Sequence, residues 1–364
     1  MFTFNNNRYL SPVILDELII KNYLKTYTSI LGYSVENRPI LLSSFGSGKK
    51  KVLIWSQMHG NESTTTRSLI KLFSELTSKN SSLLKKLSIK VIYQLNPDGS
   101  NKYSRFNANG VDLNRDALNN SEPESKLLIS LFRTFKPHFC LNLHDQRSIY
   151  ASGNTKLPAL LSFLAPSYDE SKSINEVRKK SMEMIGILYK KIKSSKSWSV
   201  GRYNDDFNIN CFGDFFMSQN TPTILIEAGH HPNDFGRNVV VDQVYICLLN
   251  FLDLFANENY TKYQTDTYFS IPKNHDHLRD IEIKNIRCLS GPSNKLFIQF
   301  YECLKNDKIY FIPKIEKERS KTLYGNRIID FSKITNKSID LKENNQKILD
   351  KLKLFLDFSL FLNE

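Results

Sequence analysis

The chain has 364 residues, more than the ~250–300 over which one hydrophobic core keeps growing, so a large domain with a smaller companion is expected. Hydrophobic residues make up 40% and charged residues 24%, which excludes a disordered chain. The net charge of +13 invites a nucleic-acid reading, but the lysines are scattered among Asn, Ser and Ile, and runs such as Lys49-Lys50-Lys51 are short, so no specific nucleic-acid partner is expected.

The five cysteines are odd in number, widely spaced and without a CxxC pair, which reads as reduced structural thiols rather than a disulfide framework or thiolate metal site. The segment from Met1 to Lys21 carries Asp16 and Glu17 where the apolar part of a secretion signal would lie. No stretch reaches ~18 uninterrupted apolar residues. A cytoplasmic protein without a membrane partner is the expectation.

Four short apolar runs read as strands: Val52 to Trp55, Ile89 to Tyr93, Phe139 to Leu143 and Thr223 to Ile226. Their β-branched and aromatic content, and their lack of strict alternation, suit strands buried on both faces. Helical spacing fills the segments Thr64 to Ser78, Glu122 to Phe135, Asn175 to Ile192 and Val239 to Phe255. Such alternation predicts an α/β fold with a mainly parallel mixed sheet flanked by helices.

From about Tyr260 the pattern changes to period-two segments at Ile281 to Lys284, Lys295 to Phe300 and Ile309 to Ile312, divided by Ser290-Gly291-Pro292-Ser293 and Lys305-Asn306-Asp307-Lys308. A helical face with Ile348, Leu352, Phe355 and Leu356 follows between Leu341 and Leu362. The expected division is a catalytic domain over 1–260 and a small β-rich unit with a terminal helix over 261–364.

Each of the four apolar runs ends in polar residues: His59-Gly60-Asn61-Glu62, Asn96-Pro97-Asp98-Gly99, His144-Asp145-Gln146 and Glu227-Ala228-Gly229-His230. Sites on open α/β sheets lie at the carboxyl ends of strands, so these loops are expected to converge. A catalytic zinc takes three nitrogen or carboxylate ligands and leaves one position open. His59 and Glu62, three apart in a turn after a strand, and His144 at the end of another can supply them. An HxxE pair alone is a weak signal, since many helices show it by chance.

Asn107 to Asp116, with Asn96 to Gly99 and Arg105 before it, resembles the zinc carboxypeptidase family related to carboxypeptidase A, as an atypical, bacterial-type member. Gly32 to Ile40 looks like that family's opening hairpin, and His59, Glu62, His144 and Glu227 stand in its order. The likeness spans about Gly32 to Phe255. It implies one Zn2+ per chain on His59, Glu62 and His144, lowering the pKa of a water toward ~7.

It further implies Glu227 as the catalytic base and Arg105 as the group that stabilises the oxyanion. Asn114 and Arg115 would bind the substrate's terminal carboxylate, and Asp112 would orient His59. Tyr203 is the nearest match to the family's mobile tyrosine. His230 and His231 are expected to line the cleft or pack beside it, and Asp145-Gln146-Arg147 departs from the residues that usually follow the third ligand. The substrate implied is a peptide with a free carboxylate; the alternative is an N-acyl amino acid cleaved by a deacylase of the aspartoacylase and succinylglutamate desuccinylase type.

Overall fold

The computed structural model describes residues 8–193, 199–232, 234–258, 265–287, 295–316, 322–335, 338–341 and 343–358. The described strands are β1 (Thr28–Tyr33), β2 (Pro39–Phe45), β3 (Lys50–Trp55), β4 (Leu87–Ile92), β5 (Phe139–Asp145), β6 (Ala151–Ser152), β7 (Leu161–Leu164), β8 (Val200–Arg202), β9 (Thr223–Ala228), β10 (Asn274–His275), β11 (Leu278–Lys284), β12 (Leu296–Lys305), β13 (Lys308–Glu316) and β14 (Tyr324–Asp330). The helices are α1 (Pro12–Lys21), α2 (Thr64–Ser78), α3 (Leu83–Lys86), α4 (Pro97–Lys102), α5 (Pro123–Phe135), α6 (Glu176–Lys193), α7 (Phe212–Ser218), α8 (Asn238–Ala256), α9 (Asp266–Phe269) and α10 (Asn345–Lys353).

The large sheet runs β1-β2-β4-β3-β5-β9-β7-β8. The four expected strands form its centre, and β4, β3, β5 and β9 are mutually parallel. Val52, Leu53, Ile54 and Trp55 are all fully buried because helices cover both faces. One core packs α2, α6 and α8 on one face, with Phe73, Leu188, Leu248 and Phe251 at its heart. The second packs α5 and α7 on the other face around Trp55, Leu128 and Phe216.

The chain goes from β3 to its neighbour β4, then crosses back to β5 on the other side of β3. That reversal opens a crevice at the carboxyl ends of β3 and β5, the place where α/β sheets hold their ligands.

Helix α8 has the length and apolar composition to cross a membrane, but Val240, Val244, Leu248, Phe251 and Leu252 are packed inside the first core. Tyr268 of α9 and Ile271 belong to that same core, and β10 pairs with β6. The smaller sheet starts after them, in the order β13-β12-β11-β14, with a core of Ile281, Ile298, Ile348, Leu352 and Leu356. Strand β14 had no counterpart in the sequence reading, because Tyr-Gly-Asn-Arg carries no apolar alternation. The C-terminal helix is shorter than the periodicity predicted, ending at Lys353. The Ser290 to Ser293 turn, Cys288, the expected division at 260/261 and the helical end beyond Phe358 lie outside the described residues.

The hairpin of β1 and β2 is pinned by Asp98, which is fully buried at the start of α4. Its carboxylate accepts from Ser34 Oγ (2.8 Å), Glu36 N (2.9 Å) and Arg38 NH1 (2.7 Å). The Asn96 to Gly99 loop therefore anchors the hairpin and sends no acid into the crevice. Asp98→Ala strips the Ser34 hydroxyl and the Glu36 amide of this acceptor and removes one of the two carboxylates that Arg38 holds, and should lower unfolding free energy by about 1–3 kcal/mol in urea denaturation with an unchanged m value.

Candidate metal centre and cleft

The loop after β3 is held from below. Asn96 Nδ2 donates to Met58 O (3.1 Å), and Gln57 Nε2 donates to Gly60 O (2.9 Å) and Ser100 Oγ (3.0 Å). Gly60 lies so close to α4 that a Cβ there would sit 2.0 Å from the Gly99 carbonyl carbon. Only glycine fits.

This packing brings His59, Glu62 and His144 together. Glu62 Oε1 lies 2.8 Å from His59 Nδ1 and Oε2 lies 2.8 Å from His144 Nδ1, with the two Nδ1 atoms 3.2 Å apart. Two imidazole nitrogens and a carboxylate converge on one point, a donor set that suits zinc; one ligand atom from each residue lies within 4.8 Å of the others. On the far side of His59, Nε2 is 3.0 Å from Asp112 Oδ1, which fixes the ring and leaves Nδ1 toward the cluster.

The charges follow this arrangement. Burial alone would lower the His59 pKa, but the Glu62 carboxylate and the Asp112 hydrogen bond raise it to about 9. His144, with one carboxylate beside it, is lowered by burial. Burial opposes the ionised Glu62, yet the two imidazoles hold it well below the usual carboxylate range. Asp112, also against the pull of burial, is held low by His59 and Arg105.

Glu227 stands beside His144, since the two are paired across β5 and β9. Burial first, and the Glu62 carboxylate second, push its pKa well above the ordinary value. Its Oε2 is buried and bonds to no other protein group. Arg105 forks onto Asp112 Oδ2 through Nε (3.0 Å) and NH2 (2.9 Å), with NH1 3.8 Å from Glu62. Asn114 Oδ1 accepts from Phe212 N (3.1 Å), and the exposed Arg115 rests NH1 on Asn114 O (2.7 Å) and Cys211 Sγ (3.2 Å).

All of these except Asp112 line one cavity of about 610 Å³. Tyr203 lines it too, with its hydroxyl 3.0 Å from that of Tyr150. His230 is a buried lining residue packed against Phe235, whereas His138, His275 and His277 lie elsewhere, His277 bonding Thr155 O. The charge of Asp145 is committed to α2, where Oδ2 accepts from Thr64 N (3.1 Å) and Thr64 Oγ1 (2.5 Å) and so caps the helix.

The smaller sheet supplies the remaining wall, which the sequence reading did not assign. Asp280, Gln299, Phe300, Tyr301, Glu302 and Phe311 line the same cavity. Gln299 donates to Ser148 Oγ (2.9 Å), Arg147 lies over the Tyr301 ring, and Glu302 pairs with Arg8 and Tyr103. The first two contacts bind the sheet to the loop just after His144, and Glu302 ties it to Arg8 and to Tyr103, which follows α4.

The zinc carboxypeptidase family model matches residues 15–213. Carboxypeptidase 2 of Trichophyton rubrum is 30% identical over 135 residues, covering 36% of this chain and 23% of that protein. The match thus spans about a quarter of this curated relative's length. The metallo-carboxypeptidase of Burkholderia cenocepacia shares the fold with a TM-score of 0.52 and 17% identity, over 69% of this chain and 71% of that one. A metallo-carboxypeptidase of Pseudomonas aeruginosa, in complex with (2-guanidinoethylmercapto)succinic acid, gives 0.53 and 16% over 69% and 71%. The family match contains His59, Glu62, Arg105, Asp112, Asn114, Arg115, His144 and Tyr203 and ends before Glu227 and the small sheet.

Metal binding must displace the proton that His59 holds up to about pH 9. Zinc affinity, measured by chelator competition, should therefore climb about tenfold per pH unit between neutrality and that pH, then level off. Gly60→Ala should weaken zinc at least ~tenfold in the same titration, because the displaced loop carries two of the three donors.

Proposed function

The chain belongs to the zinc carboxypeptidase family, and from that membership we propose that it is a metallocarboxypeptidase, hydrolysing the last amide bond of a peptide with a free terminal carboxylate. The observation that carries this is the joining in one cavity of the His59, Glu62 and His144 donor set, the buried Glu227 carboxylate free at Oε2, and the arginines Arg105 and Arg115.

His59 Nδ1, Glu62 and His144 Nδ1 would hold the zinc. When bound, the ion supplies Lewis-acid activation of water and of the scissile carbonyl. Glu227, one strand from His144, takes a proton from the attacking water. The water oxygen bonds to the carbonyl carbon, the C–N bond breaks, and Glu227 returns the proton to the leaving nitrogen. A carboxyl whose pKa is raised by burial is suited to both transfers.

Arg105, held by its fork onto Asp112, keeps a positive charge at the edge of the metal cluster to stabilise the oxyanion. Asn114 and Arg115 bind the terminal carboxylate, and Tyr203 closes over the substrate beside Tyr150. This charge recognition, more than the donor set, separates an exopeptidase from other hydrolases built on the same ligands.

A pool of free-carboxylate peptides and N-acyl amino acids, read by mass spectrometry, tests the reading. The zinc-loaded protein should release single C-terminal residues; release of acyl groups alone would assign it to the deacylases. Glu227→Gln should lower kcat by about 10²–10⁴ while retaining zinc. Arg115→Met should raise KM by about 10- to 100-fold, the worth of a charge-assisted hydrogen bond, with little change in kcat.

A further inference from the structure

Two rows of side chains cross the sheet on the face that carries the centre. In the upper row His144 pairs with Glu227, and Glu227 with Ser162; in the lower row Asn142 pairs with Leu225, and Leu225 with Leu164. Residues two apart on a strand point the same way and lie about 6.6–6.8 Å apart. Asn142, Leu225 and Leu164 all line the cavity, which therefore continues one pleat below the catalytic row.

Asn142 is the anomaly in this floor. It is fully buried, and neither Oδ1 nor Nδ2 bonds to any other protein group. An unpaired buried amide costs free energy that a leucine of the same size would not. Its strand neighbours Leu141 and Leu143, which point to the opposite face, are apolar. The amide thus opposes stability at a place that faces the cleft.

The surroundings fix the chemistry it would meet. Asp214, buried at the cavity wall, accepts one backbone N–H on each oxygen, from Ser167 (2.8 Å) and Asn208 (2.9 Å), and keeps further acceptor capacity. Burial raises its pKa to about 6. Gly213 beside it keeps the wall thin, since a Cβ would stand 2.9 Å from Pro166 Cγ. Asp206, at the exposed rim, is already paired with Lys172 (2.6 Å). The Asp214 carboxylate thus sets an acceptor into the cavity wall.

We propose that Asn142 determines side-chain specificity, selecting substrates whose terminal side chain ends in a nitrogen hydrogen-bond donor, whether amine, guanidinium or carboxamide, over apolar or acidic ones. The assignment of this floor to the terminal side chain rests on the carboxypeptidase reading. The selection of a polar nitrogen group rests on the cavity itself.

Calorimetric binding of free lysine, arginine, glutamine, leucine and glutamate to the zinc-loaded protein provides the test, beside kcat/KM on N-acyl dipeptides ending in the same residues. The wild type should favour at least one nitrogen-bearing amino acid at least tenfold over leucine and glutamate; lysine and arginine against glutamine shows whether charge or amide is read. Asn142→Leu should reduce that preference at least tenfold while raising the thermal midpoint. A wild type that prefers leucine or glutamate overturns the proposal without any variant, as does a folded Asn142→Leu with the original order of affinities. Binding in the expected order with no peptide cleaved supports the role of Asn142 and refutes the peptidase reading instead.

Discussion

The register between β5 and β9 is the constraint on which the rest depends. Placing His144 opposite Glu227 puts a candidate ligand and a candidate base on one face of the sheet, with Asn142 and Leu225 directly beneath them. A slip of one residue in either strand would turn its own pair, His144 with Asn142 or Glu227 with Leu225, to the other face. Burial of both strands on both faces enforces this register, because Cys140, Leu141, Leu143, Ile224 and Ile226 would otherwise meet the wrong core. Fold stability and site geometry are thus set by the same pairing.

The cluster of His59, Glu62, His144 and Asp112 is costly for a structure to keep without a ligand. Two imidazoles and two carboxylates are drawn from water, and they offset the cost by sharing protons, with His59 raised and Glu62 lowered. Around this core the protein adds a second layer of restraint: Asp98 on the hairpin, Asn96 and Gln57 under the ligand loop, and Asp145 on α2. These residues hold the donors in place while leaving their facing atoms toward the cleft. The small sheet then closes the cavity from the side, through Arg8 with Glu302 and Arg147 with Tyr301.

Much of this was legible in the sequence, for physical reasons that can be named. Val52 to Trp55 are apolar on every position and Phe139 to Leu143 on every position but Asn142, as a strand covered on both faces requires, so the central sheet could be read directly. His59, Glu62 and His144 could be singled out because they follow strand ends in the order of the family that the chain resembles, and the structure brings the three together. The meaning of Asp98 and Asp145 was not legible, since a carboxylate bound to backbone N–H groups and one bound to substrate look alike in sequence. The wall formed by Gln299 to Glu302 was hidden too, because an alternating strand does not say what its polar face meets. Asn142 was visible as the one amide inside an apolar run, and only the register of its neighbours gives it a destination.

The central claim is that His59, Glu62 and His144 form a metal centre, and anomalous diffraction from zinc-grown crystals on both sides of the zinc absorption edge tests it most directly. The account predicts one zinc peak at about 2.0–2.2 Å from His59 Nδ1, His144 Nδ1 and a Glu62 oxygen. No peak there, or zinc held only by other residues while this cluster keeps its metal-free hydrogen bonds, would contradict it.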